Sequence, residues 1–262
     1  MPKPLVFMAM PHYSGQIHAD AAKSFWCESV NDDSIDTLTV DHGSSLLANC
    51  FNSFWALALN WRDEKNRPEF AGQFKGRPIT HFAMLHADIA AAPGWLNILM
   101  DELNRTDADI VSAVVPIKSG DGTTSTAISS DDPFRVTRRL TMKEVMQLPE
   151  TFDAEACGYP GRTILANTGC WLARFDRMWN EAVHFEIRDK IVLDASGQYC
   201  PKVAPEDWNF SQQVANLGGK IVATRKVKVR HVGNATFDNS HAWGTLDIDH
   251  MADGQTLPVL AG

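Results

Sequence analysis

Apolar runs alternate with helical stripes through the first half of the chain. The run PLVFMAM, residues 4–10, has no polar position, which predicts a strand buried on both faces. IDTLTV, ITHFAMLHA and DIVSAVVPI predict three further strands. Between the strands, apolar side chains recur at helical spacing over residues 20–30, 44–61 and 93–105. Strands alternating with helices are typical of parallel βαβ units, so we predict an α/β fold.

The second half is less regular. Residues 119–132 are rich in Gly, Ser, Thr and Asp, which predicts a loop, and LTMKEVMQL predicts a short helix. A helix is also predicted over residues 205–217, because two acids in its first turn suit the helix dipole and Gly218 suits its end. TILANTGCWLARF and KIVATRKVKVRHVG have strand-like patterns, and residues 234–262 form a polar tail.

Composition narrows the function classes. The chain has 262 residues, 44% of them hydrophobic, which is enough for a sizeable core. Its formal net charge of -8 argues against a broad electrostatic grip on nucleic acid. The five cysteines contain no C-x-x-C pair, so we expect reduced thiols in a cytoplasmic protein. The amino terminus lacks a signal-peptide pattern, and no stretch approaches the roughly 18 apolar residues of a membrane span.

Three predicted strands end in residues that can carry chemistry. The first ends in Pro11-His12-Tyr13, the third in His86-Ala87-Asp88 and the fourth in Pro116-Ile117-Lys118. Ligands gather at the carboxyl ends of strands in open parallel sheets. A carboxylate there is costly to bury without a cation, and carboxylate with imidazole suits Mn²⁺ or Mg²⁺. Alternatively, Asp88 caps the helix that follows.

The stretch PEDWNF offers a second candidate site. Glu206 and Asp207 stand at a helix start beside Trp208. These residues fit a helix-capping arrangement with Trp208 in the core, which residue pattern alone favours. They also fit a general base beside an aromatic ring that stacks on a sugar.

In order, these pieces resemble the GT-A glycosyltransferases of the family-2-like type found in bacteria and phages. The matching segments are VFMAMPHYSG, LLANCFNSFWALALN, THFAMLHADIAAAPGWLNIL, DADIVSAVVPIK, NTGCWLARF and PEDWNFSQQVANLGGKIVATRKVKVRHVG. They cover about residues 5–233. The resemblance implies one GT-A catalytic domain over residues 1–233, with a nucleotide-binding half (1–118) and an acceptor-side half (119–233). Residues 234–262 would be a carboxyl-terminal tail or lid.

The resemblance also implies a metal and diphosphate site. In the family, a D-x-D motif holds a divalent ion on the diphosphate of a nucleotide sugar. Here the motif's position contains His86-Ala87-Asp88, so the second acid is kept and His86 replaces the first. His231 matches a late histidine that supplies a further ligand. The implied metal ligands are therefore Asp88, His231 and His86, with His86 alternatively touching the nucleotide.

The remaining implied roles concern the donor, the base and the acceptor. Pro11-His12-Tyr13 matches the base-binding loop, and Asn52 keeps one member of an Arg-Asn pair common in relatives. Lys118 is a candidate contact for phosphate or acceptor. Asp207 is the implied catalytic base with Glu206 as its alternative, and Trp208 is a candidate acceptor platform.

Together these roles predict a metal-dependent glycosyltransferase. It would move a sugar from a nucleoside diphosphate donor, UDP-linked, to an acceptor hydroxyl with inversion, because a base placed for in-line attack implies a single displacement. The acceptor stays open among sugar, protein, lipid head group and a modified DNA base, the last fitting a phage-encoded enzyme. The alternatives are a nucleotidyltransferase on a related fold and a non-catalytic nucleotide-sugar-binding protein.

Overall fold

The computed structural model describes residues 3–13, 15–62, 64–233 and 235–249. Its α-helices are α1 (Ala19–Trp26), α2 (Leu47–Asn60), α3 (Trp95–Thr106), α4 (Met142–Val145) and α5 (Glu206–Asn216). Short 3₁₀ helices cover Glu64–Asn66, Glu69–Phe74 and Met178–Glu181. The helices predicted from apolar spacing are therefore present, each shorter than its pattern at one or both ends.

The strands fall into one large sheet and three small ones. In chain order they are β1 (Leu5–His12), β2 (Asp36–Gly43), β3 (His81–Leu85), β4 (Ile89–Ala91), β5 (Ile110–Ala113), β6 (Thr123–Ser129), β7 (Val136–Thr141), β8 (Thr151–Phe152), β9 (Ile164–Leu165), β10 (Cys170–Arg174), β11 (Arg188–Leu193), β12 (Tyr199–Ala204), β13 (Ile221–Thr224), β14 (Val229–Val232) and β15 (Thr236–Asp238).

Seven strands form the central sheet, in the order β2-β1-β3-β10-β5-β13-β8. β1 pairs in parallel with β2 and β3, and β5 pairs in parallel with β13. β10 runs antiparallel to both of its neighbours, and β8 runs antiparallel to β13. The predicted α/β class is thus confirmed as a mixed α/β fold in which five of the seven strands share one direction.

The other strands form three small sheets. β15, β14 and β4 form one sheet, β7, β6 and β9 form another, and β11 and β12 form a hairpin. KIVATRKVKVRHVG therefore makes two strands in different sheets, β13 and β14. Because β14 pairs with β4, it brings a late segment of the chain beside the end of β3.

Both faces of the central sheet are covered, as the apolar run of β1 predicts. Leu5, Phe7 and Ala9 pack into one core with side chains of α2, such as Trp55. The alternate residues of β1 pack into a second core with side chains of α3, such as Trp95. Residues of a strand alternate between faces, so a wholly apolar strand suits a sheet sandwiched between helices.

The prediction of a loop over residues 119–132 is wrong at its centre. Thr123–Ser129 forms β6, which pairs with β7 and β9. The β-branched threonines favour a strand, and the Thr124 hydroxyl donates to the Leu140 carbonyl at 2.8 Å. A hydroxyl-rich sequence can therefore enter a buried sheet when neighbouring backbone accepts its hydrogen bonds.

The tail is described as far as residue 249. The Thr141 hydroxyl donates to the Asp247 carbonyl at 3.0 Å, and the Leu246 N–H donates to the Asp121 carbonyl at 3.0 Å. This part of the tail is therefore docked beside β6 and β7. Residues 250–262 of the predicted tail or lid lie outside the described residues. In the described ranges, no helix has the length and apolarity to cross a bilayer, and all five cysteines are free thiols.

Candidate active site

The carboxyl ends of β1, β3 and β5 lie along one edge of the central sheet. β1 and β3 pair in parallel, and just beyond them the Ala87 N–H donates to the Pro11 carbonyl at 3.3 Å. β5 has the same direction, and the chain continues from it to Lys118. The three strand ends singled out in the sequence therefore lie on the same edge of the sheet, with β10 between β3 and β5.

Asp88 lies in the connection between β3 and β4. Its carbonyl accepts a hydrogen bond from the Val232 N–H at 2.8 Å. α3 begins only at Trp95, after β4, with Gly94 in its N-cap position. The interpretation of Asp88 as the cap of the following helix is therefore wrong, because a strand separates the two.

Two cationic or basic side chains meet the Asp88 carboxylate on one oxygen. Lys118 Nζ donates to Asp88 Oδ2 at 2.5 Å, and His231 Nε2 lies 3.4 Å from the same oxygen. The Asp88 side chain is 41% exposed, so the group faces solvent. Burial alone would raise the pKa of Asp88, but hydrogen bonds from His231 and Lys118 hold it well below its usual range. Asp88 is thus a carboxylate at neutral pH.

The orientation of His231 follows from its other ring nitrogen. Nδ1 lies 2.7 Å from the Pro116 carbonyl oxygen, an acceptor, so Nδ1 carries a proton. Nε2 then faces the Asp88 carboxylate. A histidine held through Nδ1 by a backbone carbonyl is a common arrangement for metal ligands.

His86 lies behind this pair. Its Nε2 atom is buried without a hydrogen-bond partner, and its ring lies 5.2 Å from the Phe51 ring between centroids. Burial lowers the pKa of His86 to about 4, so the ring is neutral at pH 7. In the part of the chain that the structure describes, no three His, Cys, Asp or Glu side chains are arranged to hold a metal ion. His86 is therefore not placed beside Asp88 and His231 as a third ligand.

The residues present nevertheless fit a divalent cation. Asp88 offers a carboxylate oxygen and His231 an imidazole nitrogen on the same side of the site. Mg²⁺ and related ions often take only one or two protein ligands and complete their shell with substrate phosphates and water.

The segment after β1 holds the other predicted donor contacts. Tyr13 is 69% exposed. His12 Nε2 lies 3.5 Å from Asp41 Oδ2, and the ring covers Gly43 so closely that a Cβ there would lie 2.6 Å from its Cε1 atom. Tyr13 is thus free to meet a ligand, whereas His12 is packed against β2.

The side-chain amide of Asn52 bonds to the backbone of the fold. Its amide nitrogen donates to the Phe185 carbonyl, and its amide oxygen accepts from the Phe185 N–H, both at 2.7 Å. These two bonds fix the backbone of Phe185, whose ring stacks on Phe210 of α5 at 4.2 Å between centroids. The predicted donor contact through Asn52 is not favoured, because its amide already pairs with backbone.

The acidic pair opens α5. Pro205 is the N-cap residue and makes no side-chain cap, while Asp207 Oδ1 accepts from the Trp208 N–H at 2.8 Å. Asp207 therefore satisfies an N–H of the first helical turn from within the helix, and no side chain caps α5 at Pro205. Asp207 is only 8% exposed, and burial together with the neighbouring Glu206 charge raises its pKa well above the usual range. Burial also raises the pKa of Glu206.

Trp208 is anchored as part of the fold. Its indole N–H donates to the Ser125 carbonyl at 2.9 Å, and its ring packs against a small core that includes Leu165. The Arg139 guanidinium lies 5.6 Å from the ring centroid. These contacts favour the structural interpretation of Trp208 over a free platform for an acceptor.

A short stretch of backbone joins the two candidate groups. Pro116 forms a bridge with Thr124, and the Ser125 N–H donates to the Val115 carbonyl at 3.1 Å. His231 bonds to the Pro116 carbonyl on one side of this bridge, and Trp208 bonds to Ser125 on the other. The Asp88–His231 pair and the start of α5 are thus attached to the same segment.

Two cavities of the described residues lie away from this edge. One, of about 810 Å³, is lined by Arg162, Gln212 and Asn216 on the outer side of α5. The other, of about 430 Å³, is lined by Asp20, Lys228 and other residues beside β4 and β14. Neither is lined by Asp88 or Asp207. The polar groups of the strand-end edge thus lie outside both cavities, and closure on a substrate can shape such an open site.

Sequence reasoning missed the Pro116 carbonyl that orients His231. No side-chain pattern signals such a partner, because every residue carries a carbonyl group. Comparison of the chain with protein-family models gave no match, and comparison with curated proteins gave no significant similarity. The case for a function therefore depends on the geometry of the site.

Proposed function

We propose that this chain is a glycosyltransferase of the GT-A type. It transfers a sugar from a nucleoside diphosphate donor to an acceptor hydroxyl, and the donor we propose is a UDP-linked sugar. The observation that carries the proposal is the approach of Asp88 and His231 to 3.4 Å at the strand-end edge, although they are far apart in sequence. The resemblance in residues and motifs supports the same assignment.

The donor's diphosphate would lie against this edge. Asp88 and His231 would hold a divalent ion, Mn²⁺ or Mg²⁺, which when bound supplies a Lewis acid for the charge of the leaving diphosphate. Lys118 adds a positive charge at the same place. The exposed Tyr13 is the candidate contact for the nucleobase.

Asp207 is the proposed general base, with Glu206 as the alternative. A base must be ionised and yet hold a proton well, which a raised pKa favours, and such assistance is typically worth about 10²–10⁴ in rate. Burial of Asp207 goes beyond what capping a helix requires and resembles the environment of catalytic carboxyls. One base and one displacement give inversion at the anomeric carbon.

The test is binding and turnover with UDP and UDP-sugars, with and without Mn²⁺. We expect Mn²⁺-dependent binding of UDP by calorimetry and slow release of UDP from the correct UDP-sugar. Asp88→Asn should abolish the Mn²⁺ dependence. Asp20→Asn is its matched control, because Asp20 is similarly exposed and pairs with Arg230 of β14 at 2.9 Å. If Asp20→Asn and Asp88→Asn behave alike, the site assignment is wrong.

Two further results would change the function rather than the site. Nucleotide binding without release of UDP from any UDP-sugar would indicate a non-catalytic binding protein. Release of pyrophosphate from UTP with a sugar phosphate would indicate a nucleotidyltransferase. For the transferase, proton NMR of the first product should show inversion, and retention would refute Asp207 as the base. The free cysteines accord with the cytoplasmic location we propose.

A further inference from the structure

Lys118 occupies the position that a metal ion would need. Its ammonium group lies 2.5 Å from Asp88 Oδ2, the same oxygen that His231 Nε2 approaches at 3.4 Å. A divalent ion bound to that oxygen would lie about 2.0–2.1 Å from it. Two cations cannot share this space, since they would repel each other at close range. A metal ion and the Lys118 ammonium therefore compete for Asp88.

The Lys118 side chain can contact this oxygen and can also move away from it. Its stem packs on Gly233, where a Cβ would lie only 3.1 Å from Lys118 Cδ. The backbone below is fixed, because the Ile117 N–H donates to the Thr123 carbonyl at 3.0 Å. The side chain is 36% exposed, so its head can rotate into solvent without backbone movement. A lysine has three rotatable donors on a flexible stem and binds phosphate as a point charge.

We infer that Lys118 is an internal cation of the donor site. In the free protein it neutralises Asp88, and when a nucleoside diphosphate and a divalent ion bind, it moves from Asp88 to the diphosphate. This inference rests on the proposed donor site. It adds how metal binding and nucleotide binding at that site depend on each other. Lys118 weakens metal binding to the free protein and strengthens it once the diphosphate is present. Metal and nucleotide must then raise each other's affinity by the same factor.

The experiment measures Mn²⁺ binding by loss of the free-ion EPR signal, with Mn²⁺ alone and with saturating UDP. Wild-type protein should bind Mn²⁺ weakly alone and at least about tenfold more tightly with UDP. Lys118→Met should bind Mn²⁺ alone about twofold to fivefold more tightly than wild type, the change expected from losing one partly exposed ion pair. The increase in Mn²⁺ affinity that UDP causes should be smaller in this variant, because no lysine at position 118 contacts the diphosphate.

Lys143→Met is the matched control. The Lys143 side chain is 35% exposed and bonds to Asp247 at 2.6 Å, so this variant removes one positive charge from a similar environment. It should bind Mn²⁺ as wild type does. Unchanged or weaker Mn²⁺ binding by Lys118→Met, in a protein that still shows the effect of UDP, overturns the inference and leaves the glycosyltransferase proposal standing. Absence of Mn²⁺ binding from all three proteins, with and without UDP, overturns both.

Discussion

Replacing Glu102 with Gln tests how strongly a buried ion network holds α3 to the central sheet. The Glu102 side chain is 4% exposed. It accepts hydrogen bonds from Arg105 and Lys226, both at 2.5 Å, and from the Thr151 hydroxyl at 2.6 Å. Thr151 begins β8, and Lys226 follows β13. One carboxylate therefore ties a helix to two strands at the far edge of the sheet.

The magnitude follows from the pKa of Glu102. Burial alone would raise this pKa, but hydrogen bonds from Arg105, Lys226 and Thr151 outweigh burial and lower it from 4.5 to about 2. At about 1.4 kcal/mol per pKa unit, the change corresponds to about 3 kcal/mol. Arg105 is 55% exposed, and solvent screens its share, so we expect about 2 kcal/mol.

The direction of the Glu102 pKa shift sets the pH range over which this carboxylate stabilises the fold. A carboxyl with a lowered folded-state pKa stabilises the fold fully above its unfolded pKa, here 4.5, and loses that contribution as pH falls toward 2. Urea unfolding should therefore show Glu102→Gln less stable than wild type by about 2 kcal/mol at pH 7 and by less than half of that at pH 3. The exposed Glu155→Gln serves as the control. An equal deficit of Glu102→Gln at both pH values would refute the electrostatic argument.

Three other substitutions separate structural from catalytic roles. Asn52→Ala removes both bonds to Phe185 and should cost about 1–3 kcal/mol in urea unfolding, with UDP binding kept. Trp208→Phe loses one bond to Ser125 and should cost about 1 kcal/mol; a rate loss beyond tenfold would contradict its structural role. Asp207→Asn should slow transfer about 10²–10⁴-fold and raise the melting temperature at pH 7, because ionising a buried carboxyl of raised pKa destabilises the fold above its unfolded pKa. Lower stability of this variant at pH 7 would contradict the burial argument.

The elements of the first half follow from local pattern. β1 is apolar at successive positions because both of its faces are covered, and α2 and α3 carry apolar stripes because one side of each meets the sheet. The position of Asp88 just after a buried strand is likewise visible in the order of residues. Such features depend on neighbours within a few residues, so the sequence is sufficient to predict them. By contrast, the sequence pattern does not predict the strand at residues 123–129, because its hydroxyls are satisfied by partners elsewhere in the chain.

The sequence by itself determined the α/β class, the strand ends and the residue types available there. Only the tertiary structure decided which of those residues meet. β10 lies between β3 and β5, and β14 pairs with β4 to bring His231 to Asp88. The tertiary structure also decided that Asn52 pairs with the backbone of Phe185 and that Lys118 pairs with the Asp88 carboxylate. Periodicity reports which face of an element is buried, whereas contacts between distant segments depend on the closure of the whole sheet.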